Sequence, residues 1–396
     1  MRILIVSRYK ENFADHQLPF VTEQGAAIAQ ELRKSQVYGV KCNVYSEQSA
    51  VDYFLVKGNY ITAVWKLKKK IREFKPDIVH AHYGLSAITA ELQNEVPVVT
   101  TFHNGETLNW HVNLMTSLMS LRAKHVIYVA QHIRDLSYFK AKNYSIIPCG
   151  VPMEQMVITP KEEARKQLGW SDDKKYILFG GAFDNERKNY ALLKDAVERL
   201  TNERLTNERL TNERMNDEGL EISKERLAKS QEPRAKSQES RAKSQEPRAK
   251  SQELRAKSPE SRAKSIECVE MKGLSRAECV LRMCACDLFA LPSHSEGSPQ
   301  ALKEAMAVNC PCLATDIADV RELFGDEPGH WILRNPRKTH ERWDGDENSL
   351  REMMELINDA MMFEGRTNGR ERILQLGLSN EQVARRIIKI YEEILR

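Results

Sequence analysis

Residues 293–316 read SHSEGSPQALKEAMAVNCPCLATD and follow directly on the apolar run CDLFALP, residues 286–292. The apolar run suits a buried strand. Ser298 and Pro299 suit an N-cap and a first helical position, because a serine oxygen accepts an orphan N–H and proline has none to lose. The pattern therefore predicts strand, loop, then a helix from about Pro299, with Glu296 in the loop and Glu304 almost two turns into the helix. Gly297 at the turn lets backbone N–H groups face an anion at the helix start. Two carboxylates flank that anion position.

Working outward, short apolar or β-branched runs alternate with helical stretches. In the first half the runs are RILIV (2–6), KCNVYS (41–46), DIVHAH (77–82), VPVVTTF (96–102) and HVIYVA (125–130). Helical patterns such as PFVTEQGAAIAQELRKS (19–35) and AVWKLKKKIREFK (63–75) separate them. The second half repeats the plan with KYILFGG, IECVEMKG, CDLFALP and CPCLATD. Such alternation argues for mostly parallel sheets covered by helices. Residues 146–170 read as linker and cleft wall. In the terminal NEQVARRIIKIYEEILR, the residues Ile387, Ile390, Tyr391 and Ile394 share one helical face.

Between these elements lies a repetitive span. Residues 201–215 are three copies of a pentad, and residues 228–265 are five heptads and a fragment. Leu205, Leu210 and Met215 recur every five residues and form no single helical stripe. Pro233, Pro247 and Pro259 interrupt any helix through the heptads. The span 201–265 is expected to be a solvated, disordered insertion that protrudes away from the crevice; a broken helical arm is the alternative. The chain carries 60 Lys+Arg and 56 Asp+Glu, of which the span holds 16 and 12, so the remainder is balanced at 44 against 44. That balance gives no reason to expect a nucleic-acid partner. No apolar run reaches membrane-spanning length, and the N-terminal RILIV is shorter than a signal-peptide core, so a cytoplasmic protein is expected. The eight cysteines then read as free thiols; the C-x-C pairs Cys284/Cys286 and Cys310/Cys312 lack zinc-knuckle spacing, and no metal is expected.

Two doubly wound domains place ligands beyond the carboxyl ends of their strands. The chemically loaded residues fall there: His80, His82 and Tyr83 after DIV; His103 and Asn104 after VVTTF; Gly180 and Gly181 after YILF; Glu296 and Gly297 after LFALP. The paired glycines allow close approach of a phosphate, and Arg187 and Lys188 follow in LFGGAFDNERKN. A tight turn with a solvated helix start fits these residues as well. Glu304 fits a surface helix position or a carboxylate accepting ribose hydroxyls. His103 fits a half-buried histidine or a cleft group touching the donor.

The stretch SHSEGSPQALKEAMA resembles the E-x7-E motif of the family-4 retaining glycosyltransferases, with Glu296 and Glu304 as its glutamates. KPDIVHAHYGLSAI, VPVVTTFHNGETLN, IIPCGVPMEQM, MKGLSRAECVLRMCACDLFALPS and VARRIIKIYEEIL are similar to that family in the same order, so the resemblance covers the chain outside 201–265. It implies a GT-B fold, two Rossmann-like domains facing across a cleft. The acceptor-side domain would be residues 1–158, the nucleotide-sugar domain 159–378, with residues 379–396 a helix crossing back. Glu304 would bind the donor ribose, Glu296 the donor sugar near its reacting carbon, and Lys188 the diphosphate. His103 would line the donor site; Gly180, Gly181, Arg187, Gly273, Gly297 and Ser298 would complete it. Gly25, His82 and Tyr83 would stand on the acceptor side. Two departures are visible: Ala182 stands where the family often has arginine, with the lysine one residue displaced, and the N-terminal glycine-rich loop is reduced to Gly25.

The implied activity is retaining transfer of a sugar from a nucleoside diphosphate carrier to a saccharide or lipid-linked acceptor, without metal, in cell-surface polysaccharide or glycolipid synthesis. A nucleotide-sugar epimerase of the same architecture and a non-catalytic scaffold built on the repeats are the rival classes. The basic helix carrying Lys66, Lys69 and Lys70 fits peripheral contact with the inner membrane face or an ordinary solvated helix.

Overall fold

The computed structural model of the protein describes residues 1–11, 18–37, 50–206, 210, 265–334 and 346–396. The KCNVYS strand expected at 41–46 lies outside the described residues. The first half of the chain forms a sheet of six parallel strands in the order β2-β1-β3-β4-β5-β6. They are β1 (Ile3–Arg8), β2 (Val51–Val56), β3 (Ile78–His82), β4 (Val98–Phe102), β5 (His125–Tyr128) and β6 (Tyr144–Ile146). The second half forms five parallel strands in the order β11-β10-β9-β7-β8. These are β7 (Lys174–Phe179), β8 (Ser265–Val269), β9 (Leu288–Leu291), β10 (Cys312–Thr315) and β11 (His330–Leu333).

Helices cover both faces, so the central strands read as unbroken apolar runs rather than alternating ones. Ile3, Leu4, Ile5 and Val6 of β1 are all fully buried, and so are Leu288, Phe289 and Ala290 of β9. Each sheet has one point where the strand order reverses: between β1 and β3 in the first, between β7 and β9 in the second. Ligand crevices form at such points, beyond the strand carboxyl ends.

The C-terminal helix Asn380–Leu395 packs on the first-domain helix Pro19–Val37. Ser379 and Gln382 close its N-terminus in a reciprocal capping box. Val383, Ile387, Ile390 and Tyr391 are buried among residues of the first domain. The Tyr391 hydroxyl meets His80 Nδ1 at 2.5 Å, and His80 Nε2 meets Thr101 at 2.7 Å. His80 is thus an internal strut, not a cleft residue.

The helix before the repeat span runs into its first pentad. Residues 190–206 are helical, with Leu192, Leu193, Ala196, Val197 and Leu200 buried against the second sheet. The first pentad continues that helix: Thr201 bonds back to Val197 O, and Arg204 reaches Asn358. At the other end Ser265 already pairs with Lys174 at the start of β8. Those two ends correct the expectation of an unstructured 201–265; most of the span between them lies outside the described residues.

Candidate active site

The two reversal points face each other. Across the gap, the loop after β4 (residues 103–106) touches the loop after β9 (residues 293–297). Asn104 Nδ2 donates to Ser295 Oγ at 3.2 Å. Gly297 sits against the His103 carbonyl so closely that an added Cβ would overlap its oxygen. This close approach is why glycine is needed there.

Glu106 holds the first-domain loop in shape. Its Oε2 accepts from the N–H of His103 and Asn104, and its Oε1 from Gly84 N at the start of the helix Gly84–Glu91. Burial nevertheless pushes its carboxyl above the usual range. His103 Nε2 lies 3.1 Å from His82 Nδ1, and Tyr83 and Phe20 pack around the His103 ring. Burial lowers both imidazoles, His82 to about 3 and His103 well below its ordinary value. Both rings are therefore neutral at physiological pH and contribute hydrogen bonds rather than charge.

On the second-domain side, Gly180 and Gly181 end β7, and Glu186–Lys188 form a single 3₁₀ turn. The Lys188 side chain lies over Gly181, where a Cβ would come 3.0 Å from its Cγ. Its Nζ reaches Glu296 Oε1 at 2.6 Å. Arg187 Nη1 donates to Ser295 O at 2.9 Å and stands 3.7 Å from Glu296 Oε2. Both cations thus converge on the same loop. Lys188 is the more enclosed, with its side chain 14% exposed against 42% for Arg187.

Glu304 lies on the helix Gln300–Ala307, and its Oε1 accepts from Arg276 Nη1 at 2.6 Å. The other guanidinium nitrogen of Arg276 holds Glu23 Oε1, also at 2.6 Å, on the first-domain helix Pro19–Val37. One arginine therefore bridges the domains through the predicted ribose carboxylate. Burial raises the Glu23 carboxyl, with Arg276 opposing that rise and Glu304 adding to it. Lys303, one residue before Glu304, is fully buried; its Nζ donates to Cys149 O of the interdomain linker at 2.6 Å. Gln300 donates to the next carbonyl, Gly150 O. These two bonds tie the helix start to the linker.

Several expectations need correction. Ser298 does not cap the helix: its hydroxyl donates to Asp319 Oδ2 at 2.6 Å, and the helix starts at Gln300 without a side-chain cap. Gly25 is not part of a loop. It is buried inside Pro19–Val37, where a Cβ would overlap the Tyr53 hydroxyl and sit 2.7 Å from Ile5 Cδ1, so it serves helix-to-sheet packing. Gly273 lies exposed in a turn after β8 with φ +73°. Among the lysines of the helix Ala63–Phe74, Lys70 pairs with Asp52 and Lys69 lies 3.9 Å from Glu73. Sequence reading passed over Glu106, Arg276, Glu23 and Lys303. Lys303 had a signal, since Met306 and Ala307, three and four residues on and so on its own helical face, are apolar.

A cavity of about 220 Å³ opens on the first-domain side, lined by Arg8, Lys10, Tyr60, Tyr83, Ser86 and Val112 among others. It lies at the carboxyl ends of β1 and β3.

The family model described as Glycosyltransferase Family 4 matches residues 27–155, and that described as Glycosyl transferases group 1 matches residues 244–343. Glycosyltransferase models thus match in both halves of the chain. Its similarity to TuaC of Bacillus subtilis (strain 168), a glycosyltransferase assigned to teichuronic acid biosynthesis, is 24% identity over 281 residues. That match covers 67% of this chain and 59% of the relative's length. Among solved structures, sucrose-phosphate synthase from Thermosynechococcus elongatus superposes with a TM-score of 0.62 at 15% identity, covering 100% of this chain and 99% of that one. HepE from Anabaena, in complex with UDP and glucose, gives 0.62 at 13% identity, covering 99% and 100%. At such identities these likenesses show the fold, which is GT-B. Among the described residues no helix is long and apolar enough to cross a membrane.

Proposed function

We propose that this chain moves a sugar from a nucleoside diphosphate carrier to a saccharide or lipid-linked acceptor, with retention at the reacting carbon and without a metal, in cell-surface polysaccharide or glycolipid synthesis at the cytoplasmic side of the membrane. The observation that carries this reading is the convergence of Lys188, Arg187 and Glu296 at the β7/β9 reversal point, closed over by the His103 carbonyl from the other domain. Support for the donor class comes from HepE, whose structure holds UDP. Support for the product class comes from the teichuronic acid role of TuaC.

In this reading the departing diphosphate takes over Lys188 Nζ, with Arg187 beside it. Negative charge grows on the leaving group as the glycosidic bond breaks, so a fixed cation there stabilises the transition state more than the bound donor. Glu296 then stands free near the reacting carbon. The neutral His103 lines the sugar site without repelling oxocarbenium-like charge. Glu304 keeps Oε2 for the ribose while Arg276 fixes Oε1. The acceptor would occupy the cavity beside Tyr83.

The test is a screen of nucleotide-sugars by thermal shift, followed by release of nucleoside diphosphate in the presence of candidate acceptors. A donor at 100 times its Kd should stabilise the fold by about 2.7 kcal/mol. Failure of every nucleotide-sugar to shift the melting temperature overturns the reading. Epimerised donor with no acceptor dependence overturns the transferase part of it.

A further inference from the structure

Lys303 puts an ammonium in the protein interior. The side chain is fully buried on the helix Gln300–Ala307, among the buried Leu302, Ala305, Met306 and Ala307. Among the described residues its Nζ has a single hydrogen-bond acceptor, Cys149 O at 2.6 Å. Burial lowers the pKa of this ammonium, opposed by Cys149, Asp319 and Glu304. Burying a cation costs far more than burying an apolar side chain of similar length, so packing does not explain a lysine here. Its carbonyl partner does, because that carbonyl belongs to a residue that reaches the candidate active site.

Cys149 packs against the apolar cluster that includes Phe102 and Tyr128, and its Sγ lies 3.6 Å from His103 Nδ1. Burial pushes the thiol up to about 11, so at physiological pH it keeps its hydrogen. A protonated thiol has a hydrogen to give, and sulfur is a weak acceptor. The contact therefore places the His103 lone pair at Nδ1 and its hydrogen at Nε2, which meets His82 Nδ1 at 3.1 Å. The other neighbours do not choose between tautomers. Tyr83 and Phe20 pack against the ring, and His82 Nε2 is buried without a partner whichever way the hydrogens run. Lys303 also acts on the same ring through space: its charge adds to burial and to His82 in holding His103 neutral.

We propose that Lys303 and Cys149 are positioning residues for His103: the ammonium pins the Cys149 carbonyl, and the Cys149 thiol donates to His103 Nδ1 and fixes the ring in its Nε2–H tautomer. The helix that carries Glu304 thereby sets the orientation of a first-domain side chain across the cleft. The consequence for turnover rests on the transferase reading; the tautomer itself does not.

Imidazole nitrogen NMR of the full chain labelled at histidine tests it, with the His103 signals identified by their loss in His103→Gln. Wild type and Cys149→Ser, which keeps a donor, should each show the hydrogen on Nε2 alone; Cys149→Ala should show both tautomers. In nucleoside diphosphate release, Cys149→Ala should lower kcat about tenfold with the donor KM within about twofold, and Cys149→Ser should return kcat to within about threefold of wild type. Lys303→Met should reproduce the loss seen in Cys149→Ala, and the double variant should lose no more than the worse single one, because both act through one chain of contacts. A wild-type hydrogen on Nδ1, or a single Nε2–H tautomer in Cys149→Ala, overturns the proposal. Wild-type kcat in Cys149→Ala overturns it too, as do losses that multiply in the double variant. The expected tautomers with no turnover of any nucleotide-sugar would count against the proposed function alone.

Discussion

Gly297→Ala tests whether the contact between the β9 loop and the β4 loop positions the donor. In the structure an added Cβ would lie 3.1 Å from the His103 carbonyl carbon, with the oxygen between them. A C=O bond is about 1.23 Å long, which leaves about 1.9 Å for the Cβ–oxygen contact. Real Cβ atoms essentially never approach within 3.0 Å. One loop must therefore retreat by about 1.1 Å. Neither partner is a flexible side chain, since the obstacle is backbone braced by Glu106. The displacement falls on the loop that carries Glu296, and a shift of about 1 Å in a positioning element costs about 10²-fold in rate. The expected result is a kcat lower by about two orders of magnitude, measured as nucleoside diphosphate release at saturating donor. The melting temperature should change little, because the contact joins domains and leaves both cores intact. A kcat within about threefold of wild type would show that the loops are not held together during turnover, and the account of a cleft closed by His103 would fail.

Lys188→Ala should lower kcat by about 10²–10³-fold, more than it raises the donor KM, because the cation acts chiefly on the developing diphosphate charge. Arg187→Ala should be milder, given its greater exposure; the reverse order in the same kinetic assay would transfer the role to Arg187. Glu304→Gln should weaken a ribose-containing donor by about 1.5–3 kcal/mol and a 2′-deoxy donor less; equal losses in titration calorimetry would remove the ribose contact. Glu91 is 4% exposed, and burial raises its carboxyl from 4.5 to about 8 despite Arg122 nearby. Protonation is thus favoured by folding, so its contribution to stability is full below pH 4.5, declines as pH rises and is gone above about 8. Glu91→Gln should therefore melt increasingly above wild type as pH goes from about 5 to about 8; a pH-independent difference between the two melting curves would contradict the burial effect.

What was legible in the sequence followed from how the parallel sheets are buried. Runs such as RILIV and CDLFALP announce strands because helices cover both faces of each sheet. The β1/β3 and β7/β9 reversal points could be approached from residue chemistry alone, since His82, His103, Gly180 and Glu296 each follow such a run. Edge strands were harder. β2 (Val51–Val56) carries Asp52 at the sheet margin, and β11 (His330–Leu333) opens with a histidine, so neither reads as a continuous apolar run. The failures at single residues share one cause: the deciding partner lies far away in the chain. Ser298 looks like a cap until Asp319, 21 residues on, takes its hydroxyl. Gly25 looks like a remnant of a loop until Tyr53 and Ile5 are seen filling the space where its Cβ would stand. Arg276 and Glu23 are separated by 253 residues and carry no local pattern, yet together with Glu304 they form an interdomain bridge of two 2.6 Å contacts. That bridge changes how Glu304 itself is understood. Under the proposed function Glu304 meets the donor ribose, and the arginine that holds it also grips the opposite domain. A donor that engages Glu304 Oε2 leaves the Arg276 bridge in place, whereas one that takes Oε1 must release it.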